Sequence, residues 1–171
     1  MPDQASLTFL LGGARSGKSA HAEKLATALP APWTYIATAQ AWDDEMSERI
    51  ALHRSRRVEG WRTLDAPLDL VAALLSVPDD QPVLIDCLTL WLSNHMLAEH
   101  DLEELSAELE AVLASPRGPW FVVSNEVGLS IVPDNALGRR FRDAQGRLNQ
   151  RVAAVADRVL FMVAGLPMQV K

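Results

Sequence analysis

The stretch from Leu7 to Ser19, Leu-Thr-Phe-Leu-Leu-Gly-Gly-Ala-Arg-Ser-Gly-Lys-Ser, constrains this chain more than any other. Leu7 to Leu11 is an apolar run of strand length, and Gly12 to Ser19 then spells G-x-x-x-x-G-K-S. Gly12 and Gly17 let the backbone fold tightly and turn its N–H groups toward phosphate oxygens, with Gly13, Ala14, Arg15 and Ser16 forming the loop between them. Lys18 is placed to reach the outer phosphates, and the Ser19 hydroxyl to ligate a magnesium ion. Ala22, Leu25, Ala26 and Leu29 repeat at helical spacing and predict a helix over 20–29, its positive end aimed at the same phosphates. Strand, glycine loop and helix in that order predict a nucleoside triphosphate site.

The rest of the composition narrows what surrounds that site. At 171 residues the chain is read as a single domain, 1–171, long enough to bury a real core. The net charge of −6 implies no general affinity for polyanions, so any nucleotide must be held locally, and a nucleic-acid motor is disfavoured. The single Cys87 excludes an internal disulfide framework and fits a reducing cytoplasm. No stretch approaches membrane-spanning length, and Met-Pro-Asp-Gln lacks the basic start of a signal peptide.

Along the chain, short apolar runs alternate with helical patterns, which predicts a mostly parallel sheet covered by helices on both faces. Predicted strands at Trp33–Thr38, Trp61–Asp65, Val83–Asp86 and Trp120–Ser124 each end in polar residues, and in open α/β sheets that end faces the ligand. The candidates there are Thr38, Ala39 and Gln40, then Asp65, then Asp86, then Asn125 and Glu126. Asp86, closing a buried strand, is where a P-loop protein holds magnesium. Asp65 serves equally well as a ribose or base contact or as a helix cap. Asn125 and Glu126 either position substrate or only fix a turn.

Asp43-Asp44-Glu45 opens a predicted helix with Met46 and Ile50 on its buried face. Arg49, His53 and Arg56 or Arg57 follow at three- or four-residue steps, giving a cationic stripe with one imidazole in it. Such a stripe is ordinarily a solvated face. In a triphosphate-binding protein it is also a nucleophile flanked by phosphate-binding arginines. Helices are further predicted over 68–75, 88–97, 102–113 and 135–156, the last with Leu137, Phe141, Leu148, Val152 and Val155 on its apolar side. His95 and His100 lack partners at metal spacing and read as structural or exposed. Arg158–Val163 is a final strand, and Met168–Val170 a hairpin return.

These motifs, taken together, resemble the bifunctional adenosylcobinamide kinase / adenosylcobinamide-phosphate guanylyltransferases of cobalamin biosynthesis, essentially end to end. The resemblance rests on Gly12–Ser19; Tyr35-Ile36-Ala37-Thr38 with Gln40; Asp44-Glu45-Met46 leading to Arg49-Ile50 and His53; and Trp61-Arg62-Thr63. It continues through Asp86-Cys87-Leu88-Thr89, Asn125-Glu126-Val127-Gly128, and Phe141-Arg142-Asp143 with Gly146, Asn149 and Gln150. It implies a P-loop α/β domain related to the recombinase-type (RecA-like) ATPases, assembled as a homo-oligomer, in particular a homotrimer. It implies phosphorylation of adenosylcobinamide by ATP or GTP, then transfer of GMP from GTP to the phosphate through a guanylylated His53. Lys18 and Asp86 would share the catalysis, and Ser19 and Asp86 the Mg2+. The nucleotide would touch the Gly12 loop, Thr38, Ala39, Gln40, Arg54, Ser55, Arg56, Arg57, Asp65 and Asp86. Val58 and Asp65 depart from the family pattern, which more often has proline and glutamate there. The competing readings are a simple P-loop kinase in which His53 does no covalent work, and a regulatory module that binds nucleotide without turnover.

Overall fold

The structure, a computed structural model, describes residues 5–55 and 57–171. Its centre is a seven-stranded sheet in the order β3-β2-β4-β5-β1-β6-β7. The strands are β1 (Ser6–Gly12), β2 (Trp33–Ala37), β3 (Trp61–Asp65), β4 (Val83–Asp86), β5 (Pro119–Asn125), β6 (Arg158–Val163) and β7 (Leu166–Gln169). Every neighbouring pair is parallel except β6 with β7, which forms a hairpin. That hairpin turns at Ala164 and Gly165, both with positive φ (51° and 79°), the handedness that two-residue hairpin turns require.

The helices are α1 (Lys18–Thr27), α2 (Asp44–Ser55), α3 (Leu70–Leu75), α4 (Leu88–Leu97), α5 (Leu102–Leu113) and α6 (Ala136–Val155). They cover the sheet unequally. On one face Leu70 and Leu74 of α3, Leu88, Trp91 and Leu92 of α4, Leu109 and Leu113 of α5, and Leu148 and Val152 of α6 pack onto Leu7, Phe9, Ile36, Val83, Ile85 and Val122. On the other, Ala22 and Ala26 of α1 lie against Leu10, Tyr35, Leu84, Phe121, Val123 and Leu160. Small residues on α1 bring its axis close to the sheet, so the glycine loop that precedes it is held tightly too. Full burial of a large apolar side chain contributes about 1.5–3 kcal/mol, which makes the four-helix face the main source of stability.

Local sequence explains the helix starts. Asp101 caps α5 by accepting from the N–H groups of Glu103 and Glu104, and Asn135 caps α6 by accepting from Gly138 N–H at 2.7 Å. Glu103 and Glu104 also sit in the first turn of α5, where the helix dipole favours them.

Beyond shifts of one or two residues at element ends, such as β7 at Leu166–Gln169 where the sequence gives Met168–Val170, the structure departs from the sequence reading in three places. Met46 and Ile50 are only half-covered, and no residue of α2 is buried, so the face they define has no partner among the described residues. Leu137, assigned to the apolar side of α6, is 54% exposed because it stands in the first turn, beyond the edge of the core. The cationic stripe ends early: α2 stops at Ser55, Arg56 lies outside the described residues, and Arg57 lies beyond the helix with its guanidinium over the Tyr35 ring.

Candidate functional site

The glycine loop leaves the carboxyl end of β1 and closes into α1. Arg15 and Gly17 take positive φ (55° and 94°), which winds the backbone into a compact ring. A Cβ on Gly12 would stand 2.7 Å from both the Met162 carbonyl and the Ser16 Oγ, so that position requires glycine. The loop is braced from behind by the β6–β7 turn. Gly165 N–H donates to the Ser16 carbonyl at 2.9 Å, and Gly165 Cα would lie 3.1 Å from a Cβ on Gly17. Lys18 is buried, with Nζ folded onto the Gly13 carbonyl at 2.5 Å and 3.5 Å from Ser16 Oγ. Burial lowers its pKa below the ordinary lysine value, while Cys87 and Asp86 oppose that shift. A buried ammonium whose acceptors are a backbone carbonyl and a distant hydroxyl is well matched to an incoming phosphate.

The sheet sets the neighbouring acids in register. Ala37 pairs with Asp65 on one side and with Asp86 on the other, so both acids leave the sheet at the same level. Asp86 Oδ2 accepts the Tyr35 hydroxyl at 2.7 Å. Burial first, then the Asp86 charge and hydrogen bond, raise the Tyr35 pKa far above the ordinary phenol value, so Tyr35 remains a neutral donor at any working pH. Asp86 Oδ1 takes no hydrogen bond from the described residues. A hydroxyl on Ser19 and a free carboxylate oxygen on Asp86 are hard oxygen donors suited to magnesium, which keeps several waters and substrate phosphates as its other ligands. No cluster of three or more His, Cys, Asp or Glu occurs among the described residues, so nothing competes as an all-protein metal cage.

Thr38 is fully buried and its hydroxyl is engaged within the protein: Oγ1 donates to the Cys87 carbonyl at 2.6 Å and accepts from the Cys87 N–H at 2.9 Å. Asn94 fastens the same corner by donating to the Thr38 and Pro67 carbonyls. Thr38 therefore holds the end of β2 to the end of β4, while Ala39 and Gln40 continue half-buried beyond it. Cys87 is a free thiol, and burial with the Asp86 charge beside it pushes its pKa up to about 11.

His53 is exposed near the carboxyl end of α2. Among the described residues no hydrogen bond or ion pair joins its imidazole to the glycine loop. Its segment is tied down from the far side instead. Arg57 stacks its guanidinium 3.8 Å over the Tyr35 ring, donates to Thr63 Oγ1 at 2.9 Å, and reaches the His53 carbonyl at 3.3 Å. Arg54 pairs with Asp65 at 2.6 Å, with both side chains about half exposed, so the pair contributes no more than about 1 kcal/mol. Ser55 bonds back to the Leu52 carbonyl. The structure thus connects Asp86, Tyr35, Arg57 and the His53 backbone in one chain of contacts, and Asp65 with Arg54 in a second.

Sequence reasoning gave Tyr35 no role, and it missed the network behind Asn125. Ser124 donates to Asn149 Oδ1 at 2.8 Å, and Gln145 Nε2 donates to both Ser124 Oγ and Asn149 Oδ1 at 2.9 Å. Gln145 and Asn149 lie four residues apart on α6, one helical turn, and that spacing inside an otherwise apolar stripe was the available signal. His95 is buried: its Nε2 faces the Leu68 carbonyl at 3.1 Å and its Nδ1 the His100 Nδ1 at 2.8 Å, which makes the pair a structural clasp.

Comparison with known proteins bears on the fold and the family. Among solved structures, the chain superposes on a protein of Pyrococcus horikoshii, PH0250, with a TM-score of 0.54 at 9% identity, covering 97% of this chain and 86% of the other. It superposes on the flagellar accessory protein FlaH of Methanocaldococcus jannaschii with a TM-score of 0.53 at 12% identity, covering 97% and 78%. A type III secretion ATPase, EscN of enteropathogenic E. coli, gives 0.52 at 12% identity, covering 94% and 43%. These likenesses speak for the fold, a P-loop NTPase α/β domain. In sequence, the chain is 50% identical over 167 residues to the bifunctional adenosylcobalamin biosynthesis protein CobP of Pseudomonas aeruginosa, covering 95% of this chain and 96% of the relative. It is 41% identical over 182 residues to the bifunctional adenosylcobalamin biosynthesis protein CobU of Salmonella typhimurium, covering 96% and 99%. Residues 8–170 match the family model described as cobinamide kinase / cobinamide phosphate guanyltransferase, and the chain belongs to that family.

Proposed function

We propose that this chain phosphorylates adenosylcobinamide with ATP or GTP, and then transfers GMP from GTP to adenosylcobinamide phosphate through a covalent His53–GMP intermediate. The observation that carries this reading is the tether through Arg57. It links the backbone of His53 to Tyr35 of β2, and Tyr35 to Asp86 at the carboxyl end of β4, which is the end of the sheet from which the glycine loop leaves β1, and this supports the reading.

In the guanylyl step an imidazole nitrogen of His53 attacks the α-phosphorus of GTP. The N–P bond forms, the bond from the α-phosphorus to the bridging oxygen breaks, and pyrophosphate leaves. A phosphate oxygen of adenosylcobinamide phosphate then displaces the imidazole, giving adenosylcobinamide-GDP and returning His53 to its starting state. Dividing the transfer in this way replaces one difficult displacement with two easier ones. Lys18 and the loop N–H groups stabilise charge building on the departing pyrophosphate. Bound at Ser19 and Asp86, Mg2+ would add Lewis-acid stabilisation of the phosphate oxygens. In the kinase step the same loop holds the triphosphate, and positioning with electrostatics does most of the work. Gln40, Ala39, Arg54, Ser55, Arg56 and Asp65 complete the proposed nucleotide surface, with Thr38 supporting it from below.

We further propose a homotrimer working in the cytoplasm. The exposed apolar side chains on and beside α2, with Trp42 at 71%, Leu52 at 49% and Val58 at 62%, support assembly with another copy. No helix among the described residues is long and apolar enough to cross a membrane.

The test is denaturing intact-mass analysis after incubation with GTP and magnesium, without corrinoid. The expected result is an acid-labile gain of one GMP that is absent in His53→Ala. A folded, GTP-binding protein that gains no mass would instead favour a simple P-loop kinase.

A further inference from the structure

We propose that Glu126 is the general base of the kinase step, taking the proton from the acceptor hydroxyl, and that the acceptor enters by the groove which Glu126 lines. The inference rests on the function proposed above and names a residue which that reading leaves unassigned.

The sheet order places β5 between β1 and β4, so the chain leaving β5 emerges between the glycine loop and Asp86. Asn125 pairs with Gly12, and Val123 with Asp86. Chain leaving a strand is ordinarily mobile, but here it is fixed on every side. Asn125 N–H donates to Thr89 Oγ1 of α4 at 2.8 Å, and its carbonyl accepts from Asn149 Nδ2 of α6 at 3.1 Å. Glu126 N–H donates to the Gly12 carbonyl at 2.9 Å. The Glu126 side chain is held as well, with Oε1 accepting the Gly128 N–H at 2.6 Å. A turn alone would not require two helices to pin the preceding peptide. A carboxylate that must meet a reacting atom within a fraction of an ångström does.

Asp86 has Tyr35 on one oxygen and offers the other to the proposed magnesium, and Asp65, on the outer strand β3, is ion-paired with Arg54. Glu126 likewise gives one oxygen to a backbone N–H and keeps one that takes no hydrogen bond from the described residues, but it has no proposed metal and no cationic partner among the described residues to serve. It lines a groove of about 400 Å³ with Val127, Phe161, Met162 and Val163, and the floor of that groove includes Gly13 and Ser16 of the glycine loop. The groove is therefore continuous with the phosphate site, and an alcohol bound there lies beside the transferring phosphoryl group. Apart from this carboxylate, Ser130 and the glycine loop, its lining side chains are apolar, which suits a bulky acceptor that presents one reactive hydroxyl.

The step balances simply. As the acceptor oxygen bonds to the γ-phosphorus of ATP, its proton passes to the Glu126 carboxylate. The bond from the γ-phosphorus to the β–γ bridging oxygen breaks, and its electron pair leaves with ADP. The carboxylic acid then returns the proton to water.

The experiment compares wild type with Glu126→Gln, using ATP and adenosylcobinamide and measuring kcat and KM separately from pH 5 to pH 9. Glutamine keeps a carbonyl oxygen for the Gly128 N–H but cannot take the proton, so the loop stays in place while the base is lost. Affinity for a fluorescent ATP analogue is measured on both proteins. We expect kcat to fall about 100-fold or more and nucleotide affinity to hold. Retention of kcat within about tenfold overturns the assignment. So does a parallel loss of nucleotide affinity, which would mark Glu126 as a structural support of the loop. If wild-type protein transfers no phosphate to the corrinoid at all, the function proposed above fails first and takes this inference with it.

Discussion

Tyr35 donates its phenolic hydrogen to Asp86 across neighbouring strands at 2.7 Å, while its ring carries the Arg57 guanidinium 3.8 Å above it. One side chain therefore serves the proposed metal acid with its hydroxyl and the proposed nucleophile's segment with its face. Tyr35→Phe separates the two services: the ring remains for Arg57, and Asp86 loses its donor. The hydrogen bond to a charged group contributes about 1.5–3 kcal/mol, and denaturant unfolding is expected to show a loss of that order. A magnesium titration of activity should also shift to higher concentration, because the carboxylate is no longer held in one orientation. An unchanged magnesium requirement would show that Asp86 needs no help from Tyr35.

Gly12→Ala is expected to abolish tight nucleotide binding. The added methyl meets the Met162 carbonyl and Ser16 Oγ at 2.7 Å, and either the loop or β6 must move. Overpacking of this kind costs about 1–3 kcal/mol, so the variant folds but with a distorted cradle. Calorimetric titration with a nonhydrolysable triphosphate checks it.

The Cys87 thiol should be inert in the folded protein. Burial and the neighbouring Asp86 charge push its pKa to about 11, leaving little thiolate at neutral pH. Reaction with a thiol-specific chromogenic reagent is expected to follow unfolding, being slow in buffer and immediate in denaturant. Fast labelling of native protein would show that the corner held by Thr38 opens readily.

Burial, against the smaller opposing effect of the Leu68 carbonyl, lowers the pKa of His95 below the ordinary histidine value; His100 adds to the lowering and Asp69 opposes it. His21 is also lowered, by burial and by Lys24 and Arg158. A group depressed in the folded state binds more protons when unfolded. The stability it contributes is therefore present above the unfolded histidine value and falls away as pH drops toward the folded one. Unfolding free energy should be smaller at pH 5.5 than at pH 7.5, and the difference should shrink in His95→Gln.

Much of this molecule was readable in one dimension, for identifiable reasons. The bounds of α4, α5 and β6 agree with the predicted 88–97, 102–113 and 158–163, because strong apolar periodicity meets clear breaks there. The glycine loop between β1 and α1, and Asp86 at the end of β4, stand in the elements the sequence placed them in, because a strand, a glycine loop and a helix leave a plain local pattern. The apolar spacing of Met46 and Ile50 names a face of α2, but spacing cannot say whether the same chain supplies anything to cover it. Tyr35 looked like one more strand residue, since its partner Asp86 lies two strand positions along on a neighbour known only once the sheet order is known. The hold of Thr89 and Asn149 on the Asn125 backbone, and of the Gly128 N–H on the Glu126 side chain, is visible only once the helices are folded against β5.

The position of β1 has a consequence for how the protein is made. Its pairing partners, β5 and β6, both come from the later part of the chain, whereas β2, β3 and β4 pair among themselves. A ribosome that has released residues only as far as Arg117 has therefore delivered the complete phosphate-binding motif but none of the strands that flank it. β1, with Leu7, Phe9 and Leu10, must wait without either neighbouring strand through most of translation, a long interval for its apolar residues to be available to chaperones or to other nascent chains. The loop is braced only when Gly165 arrives behind it. The part of the protein synthesised first is thus among the last to become functional, and nucleotide cannot assist folding until nearly the whole chain has emerged.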